Sequence, residues 1–124
     1  MGKSVLLVDD SKSVRHQVGM TIRDAGYEVV EAGDGNEALT QLAAKPGISM
    51  VISDVNMPGM DGLELLETIR KRPELTHLPV VILTTEARAG LMDRAKSAGA
   101  KGWIVKPFNP QILMAAVKKL AGNP

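Results

Sequence analysis

The chain has 124 residues, close to the usual size of one domain, and its 44% hydrophobic and 23% charged residues are the balance of a globular chain that buries a core without staples. The 15 Lys and Arg nearly cancel the 14 Asp and Glu, and Tyr27, Trp103 and Phe108 are too few to make a stacking platform, which excludes a typical nucleic-acid binder. The absence of cysteine excludes a disulfide framework and a thiolate metal site. Met1 to Ser4 lead into only four apolar residues, Val5 to Val8, too short a run for a signal peptide or a membrane span, so a cytoplasmic protein with no membrane attachment is expected.

Short runs of Val, Ile and Leu alternate with segments of helical period, five of each. A first strand over Ser4–Val8 precedes a helix with its apolar stripe at Val14, Val18, Ile22 and Ala25. A second strand over Tyr27–Glu31 precedes a helix carrying Ala38, Leu39 and Leu42. A third over Ser49–Ser53 is followed by Leu63, Leu66 and Ile69, and a fourth over Val80–Leu83 by Ala87, Leu91, Ala95 and Ala98. The fifth, Gly102–Val105, leads to Leu113, Ala116, Val117 and Leu120. Each stripe predicts one buried helix face. Ser11, Asp34, Asp61 and Asn109 are candidate N-caps, and Gly26, Pro46-Gly47, Pro73 and Gly99 are the corresponding stops. The third to fifth strands read as continuous apolar runs, as strands covered on both faces do, whereas the mixed second strand suits an edge. Alternation of this kind predicts an α/β fold, a doubly wound parallel sheet with helices on both faces.

Open sheets of this class bind ligands at the carboxyl ends of their strands. There the first strand delivers Asp9 and Asp10, the third Asp54, the fourth Thr84 and Thr85, and the fifth Lys106; the second delivers only Glu31 and Ala32. Three converging carboxylates repel one another unless a cation sits among them. An oxygen-only donor set without His or Cys favours a hard ion, and so sparse a set favours Mg²⁺ over Ca²⁺. Three carboxylates at about −3, one divalent ion and one ammonium sum to roughly zero, a site suited to a phosphoryl group.

The runs Val8-Asp9-Asp10-Ser11, Asp54-Val55-Asn56-Met57-Pro58-Gly59-Met60-Asp61-Gly62, Thr84-Thr85-Glu86 and Trp103-Ile104-Val105-Lys106-Pro107-Phe108 carry a resemblance. The chain resembles the response regulator receiver domains of two-component signalling, and among them the stand-alone chemotaxis members. The resemblance implies a flavodoxin-like sheet of order 2-1-3-4-5, a single receiver domain over 1–124 with no output domain, and a cis bond between Lys106 and Pro107. It makes Asp54 the residue phosphorylated by a sensor histidine kinase. Asp10, Asp54 and the backbone carbonyl of Asn56 would ligate Mg²⁺ directly, with Asp9 acting through water, and Lys106 would hold a phosphoryl oxygen. Thr84 would donate its hydroxyl to the acyl phosphate and couple to Trp103, which occupies the position of an inward-turning aromatic. Asn56, Met57, Glu86 and Pro107 would form the rim. The implied partners are the kinase, a target protein that is the flagellar motor switch, and a phosphatase; the implied state is a monomer, and the implied class is a signalling protein rather than an enzyme. The target would dock on the fourth helix, fifth strand and fifth helix.

Two other functions fit the same residues. One is a phosphorelay intermediate that passes its phosphoryl group to a histidine phosphotransfer protein. The other is a Mg²⁺-dependent phosphohydrolase, for which only Asn56 and Glu86 border the site. A dinucleotide enzyme is excluded because no Gly-rich turn follows the first strand. His16 and His77 sit at no strand end and read as surface or packing residues; Met20 and Met57 read as filler. The basic residues Arg88, Arg94, Lys96, Lys101, Lys118 and Lys119 read first as a solvated face.

Overall fold

The computed structural model describes residues 3–124, so Met1 and Gly2 of the N-terminal lead lie outside the described residues. Five strands, β1 (Ser4–Val8), β2 (Glu28–Ala32), β3 (Ile48–Ser53), β4 (Val80–Thr84) and β5 (Gly102–Val105), alternate with five helices. The helices are α1 (Lys12–Asp24), α2 (Gly35–Ala44), α3 (Gly62–Lys71), α4 (Ala89–Ser97) and α5 (Pro110–Ala121). All strand pairs are parallel and the order is β2-β1-β3-β4-β5. No described helix is long and apolar enough to cross a membrane.

The period of two along the strands divides the core. Leu6, Val8, Val51, Val80 and Ile82 meet α2 and α3 through Leu42, Leu63, Leu66 and Ile69, while Val5, Leu7, Met50, Ile52 and Val81 meet α1 and α5 through Ile22, Leu113 and Val117. Each such side chain, fully buried, contributes about 1.5–3 kcal/mol relative to exposure.

The helix ends follow their sequence signals. Ser11, Asp34, Asp61 and Asn109 each accept a main-chain N–H of their own first turn, and Asp61 with Glu64 forms a reciprocal capping box. Gly26 and Gly99 follow α1 and α4 at φ of 99° and 89°, a region that favours glycine. The Lys106–Pro107 peptide is cis.

Five expectations need correction. β3 begins at Ile48, one residue earlier than predicted, and Ile48 is buried. β2 begins and ends one residue later than predicted, because Tyr27 is buried beneath the sheet edge and bonds the Gly122 carbonyl through its hydroxyl at 2.5 Å, while Ala32 pairs with Val8. α4 starts at Ala89, so Ala87 lies in the preceding loop and Ala95 is the buried residue of that helix. A 3-10 turn, Pro73–Leu75, intervenes before β4, which runs on to Thr84. β5 is not covered on both faces: it is the second edge of the sheet, its residues are half-buried, and Val105 is 43% exposed. Its apolar composition reflects pairing to β4 rather than full burial.

Candidate functional site

Parallel pairing in register carries the ends of β1, β3, β4 and β5 to one edge of the sheet. Asp9 follows β1 directly, its N–H donating to the Ala32 carbonyl at 3.1 Å, and the Asp54 N–H donates to the Val8 carbonyl at 2.9 Å. These two main-chain bonds bring a carboxylate from each strand to the same place. Carboxylate oxygens of Asp9, Asp10 and Asp54 all lie within 4.8 Å of one another. Asp9 and Asp54 are buried and Asp10 is exposed, so the acidic set opens to solvent on one side.

Lys106 reaches into this set from the end of β5. Its Nζ donates to Asp9 Oδ2 at 2.8 Å and to Asp54 Oδ2 at 3.3 Å. Burial by itself lowers the Lys106 ammonium, but the hydrogen bond to Asp9 and the charges of Asp54 and Asp9 outweigh it and raise the group above its ordinary range. One ammonium facing three carboxylates leaves an uncompensated charge of about −2, which a divalent cation would balance. With only oxygen donors at hand, the set fits a hard ion of the Mg²⁺ type.

The remaining contacts hold Asp54 and Asp9 in place. Asp54 Oδ1 accepts the Val55 and Asn56 N–H groups at 2.7 and 3.4 Å, and Asp9 Oδ1 accepts the Ser11 N–H at 2.9 Å. Gly62, at the start of α3, lies so close to the Asp54 main chain that a Cβ there would fall 1.9 Å from its carbonyl oxygen. Only glycine fits, and the Gly62 N–H also donates to the Val55 carbonyl at 2.9 Å. Gly62 is therefore part of the seat of Asp54.

Thr84 is completely buried at the end of β4, and its Oγ1 accepts the Glu86 N–H at 3.3 Å. Trp103 Nε1 donates to the Glu86 carbonyl at 3.0 Å. The main chain of Glu86 thus links the two residues that sequence reasoning paired as a switch. The Glu86 carboxylate receives Asn56 Nδ2 at 3.5 Å and both Nε and Nη2 of Arg88 at 3.0 and 3.3 Å. Asp10, Asn56, Met57, Pro58, Gly59 and Asp61 line an open cleft beside the carboxylates. Of the four rim residues, Asn56 and Met57 are in that lining, Glu86 joins it through Asn56, and Pro107 stands apart, exposed after the cis bond.

Sequence reasoning missed one basic group at this edge, Arg15, and named Arg88 only as part of a solvated face, where its side chain is 71% exposed while pairing with Glu86. The Arg15 guanidinium donates to the Asp9 carbonyl and to Glu31 Oε1 at 3.1 Å. His16 and His77 are exposed, consistent with their reading as surface residues.

The fold and site together define a class: residues 5–118 match the response regulator receiver domain, and the chain belongs to that family. It takes part in two-component response regulation and is a signalling protein rather than a conventional enzyme. The chain is 38% identical over 117 residues to the chemotaxis protein CheY of Pseudomonas aeruginosa, covering 94% of each chain. It is 42% identical over 117 residues to the chemotaxis protein CheY-3 of Vibrio cholerae, covering 94% of this chain and 89% of that one. Among solved structures, the chemotaxis protein CheY4 of Vibrio cholerae superposes with a TM-score of 0.89 at 42% identity, covering 97% of this chain and 99% of that one. A CheY-like receiver domain protein from Methanospirillum hungatei gives 0.88 at 28% identity, over 96% and 93% of the two chains.

Proposed function

We propose that this chain is a chemotaxis response regulator that accepts a phosphoryl group on Asp54 from a histidine kinase and thereby changes its affinity for a protein target. The observation that carries this reading is the meeting of three carboxylates within 4.8 Å with the Lys106 ammonium at 2.8 and 3.3 Å from two of them. Asp10, Asp54 and the Asn56 main-chain carbonyl are the residues that would hold Mg²⁺, with Asp9 as the outer partner. When bound, the ion supplies neutralisation of the charge on the transferring oxygens.

An Asp54 carboxylate oxygen forms a bond to phosphorus as the phosphorus–nitrogen bond of phosphohistidine breaks. The electron pair of that bond returns to the ring nitrogen, and the ring, protonated at its other nitrogen, leaves as neutral imidazole. Val55 and Asn56 N–H groups orient the attacking carboxylate, and Lys106 exchanges its Asp54 contact for a phosphoryl oxygen. The new group adds about one negative charge and several acceptor oxygens. Thr84, whose hydroxyl proton is free to donate, turns toward them and gives up the Glu86 N–H. Glu86 in turn carries Trp103, so a change at the pocket reaches β5 through one main-chain segment. Two or three charge-assisted hydrogen bonds at about 1.5–3 kcal/mol each approach the roughly 5.5 kcal/mol that moves an equilibrium from 1:99 to 99:1.

The output surface is the face of α4, β5 and α5. It carries a groove of about 350 Å³ lined in part by Met92, Lys96, Lys101 and Trp103, and β5 and α5 also present the exposed apolar residues Val105 and Ile112. The flagellar motor switch is the proposed target, a reading supported by the chemotaxis relatives at 38% and 42% identity. Incubation with acetyl phosphate and Mg²⁺, read by intact mass, is expected to add one phosphoryl group. Asp54→Asn is expected to abolish the addition; full labelling of that variant would overturn the assignment.

A further inference from the structure

The Asp9–Asp10 segment is two residues long, between the end of β1 and the N-cap Ser11. Its first carboxylate is well held, by Ser11 and Lys106. Its second is not: among the described residues no hydrogen bond reaches the exposed Asp10 side chain. The direction of Asp10 therefore depends on the peptide that precedes it. The N–H of Asp9 is fixed to the Ala32 carbonyl, and the carbonyl of Asp9 is taken by Arg15. Arg15 is itself anchored, its Nε donating to Glu31 Oε1 at 3.1 Å, while Arg23 approaches the other oxygen of Glu31 at 3.5 Å. Both ends of residue 9 are thus tied to β2. Arg15, Asp9 and Asp54 also line one small cavity, so the guanidinium borders the acidic set from behind.

We propose that Arg15 is a positioning residue for divalent-cation binding, fixing the Asp9–Asp10 peptide so that the Asp10 carboxylate stands ready to ligate. The inference rests on the Mg²⁺ reading above. Arginine serves the main-chain carbonyl and the carboxylate from two nitrogens held apart in one rigid plane, Nη1 and Nε; lysine keeps the charge but has one nitrogen and loses the fork. The two roles open to a cation here have opposite signs. As a mere charge, Arg15 opposes a second cation, and its removal would tighten Mg²⁺ binding. As a positioning group, its removal weakens binding, and outer partners of metal ligands are commonly worth about 10–100-fold.

Isothermal titration with Mg²⁺ alone tests this on the unaltered chain, Asp10→Ala, Arg15→Ala, Arg15→Lys and Glu31→Gln, with circular dichroism of each metal-free protein as the check of folding. Binding by the unaltered chain and its loss in Asp10→Ala establish the underlying metal site; no difference between those two overturns the Mg²⁺ reading itself. Arg15→Ala and Arg15→Lys are each expected to weaken Mg²⁺ by about tenfold, and Glu31→Gln, which keeps an acceptor for Arg15 Nε, by less. If Arg15→Ala does not fold, Arg15→Lys carries the test. Arg15 variants that are folded and bind Mg²⁺ as tightly as the unaltered chain, or more tightly, overturn the positioning role.

Discussion

The centre of the sheet and its β5 edge are built from similar residues and held in different ways. β1, β3 and β4 are almost wholly buried between helices, and every residue of β4 is inaccessible or nearly so. β5 and α4 are not: β5 is half-buried, Ala95 is the buried residue of α4, and no side chain caps the start of that helix. α4 is instead clasped to α3 at the surface. Arg94 grips Glu67 at 2.7 and 3.0 Å, and Arg70 donates to the carbonyls of Leu78 and Gly99 at 2.7 and 3.0 Å. The carboxylates stand on the rigid half, whereas Lys106, Trp103 and the groove lined by Trp103 belong to the loosely held half. Under the function proposed above, a chemical event at the first would be read through the second, because a region held by few buried contacts rearranges at low cost.

The largest effect expected on this contrast is in packing. Leu66→Ala, in the fully buried centre of α3, is expected to cost about 2–5 kcal/mol in urea unfolding, against about 1 kcal/mol for Leu91→Ala in half-buried α4. Equal costs would remove the distinction. Gly62→Ala sharpens it from the side of the site, since a methyl 1.9 Å from the Asp54 carbonyl forces either α3 or Asp54 to move. A loss of about 1–3 kcal/mol is expected, together with slower labelling by acetyl phosphate; normal labelling would show that Asp54 does not depend on that contact.

The smallest effect concerns the clasp. Arg94 holds the Glu67 carboxyl below its ordinary range, chiefly by hydrogen bonding. A depressed carboxylate contributes stability above its unfolded-state titration range, and that contribution disappears as pH falls through its folded-state range. Glu67→Gln is therefore expected to lower stability by about 0.2–1 kcal/mol near neutral pH, as exposed ion pairs do, and by less as the solution becomes acidic. Thermal melts across pH check the sign; a difference that grows in acid would contradict it.

Much of this was legible beforehand, for identifiable reasons. Strand ends delivering Asp9, Asp10, Asp54, Thr84 and Lys106 follow from where apolar runs stop, and parallel pairing then brings them together without further information. The four N-caps were legible because Ser, Asp and Asn at helix starts have a local mechanism. Exposure of β5 was not, because an apolar run reads alike at the edge and in the centre of a sheet. Arg15 was hidden for another reason: its contact with the Asp9 carbonyl depends on Glu31 arriving from a neighbouring strand, a tertiary fact with no local signature. The same holds for the Glu86 main chain, whose link between Thr84 and Trp103 appears only when β4 and β5 are paired.

Amide hydrogen exchange, with and without Mg²⁺ and beryllofluoride as a phosphoryl mimic, tests most directly whether a rigid half holds the chemistry while a loose half reports it. Exchange in β1 and β3 is expected to stay slow and unchanged, while the loop at Glu86, α4 and β5 change protection on adding the mimic, and Thr84→Ala is expected to abolish that change. A response confined to the pocket, or one spread evenly through β1 and β3, would contradict the account.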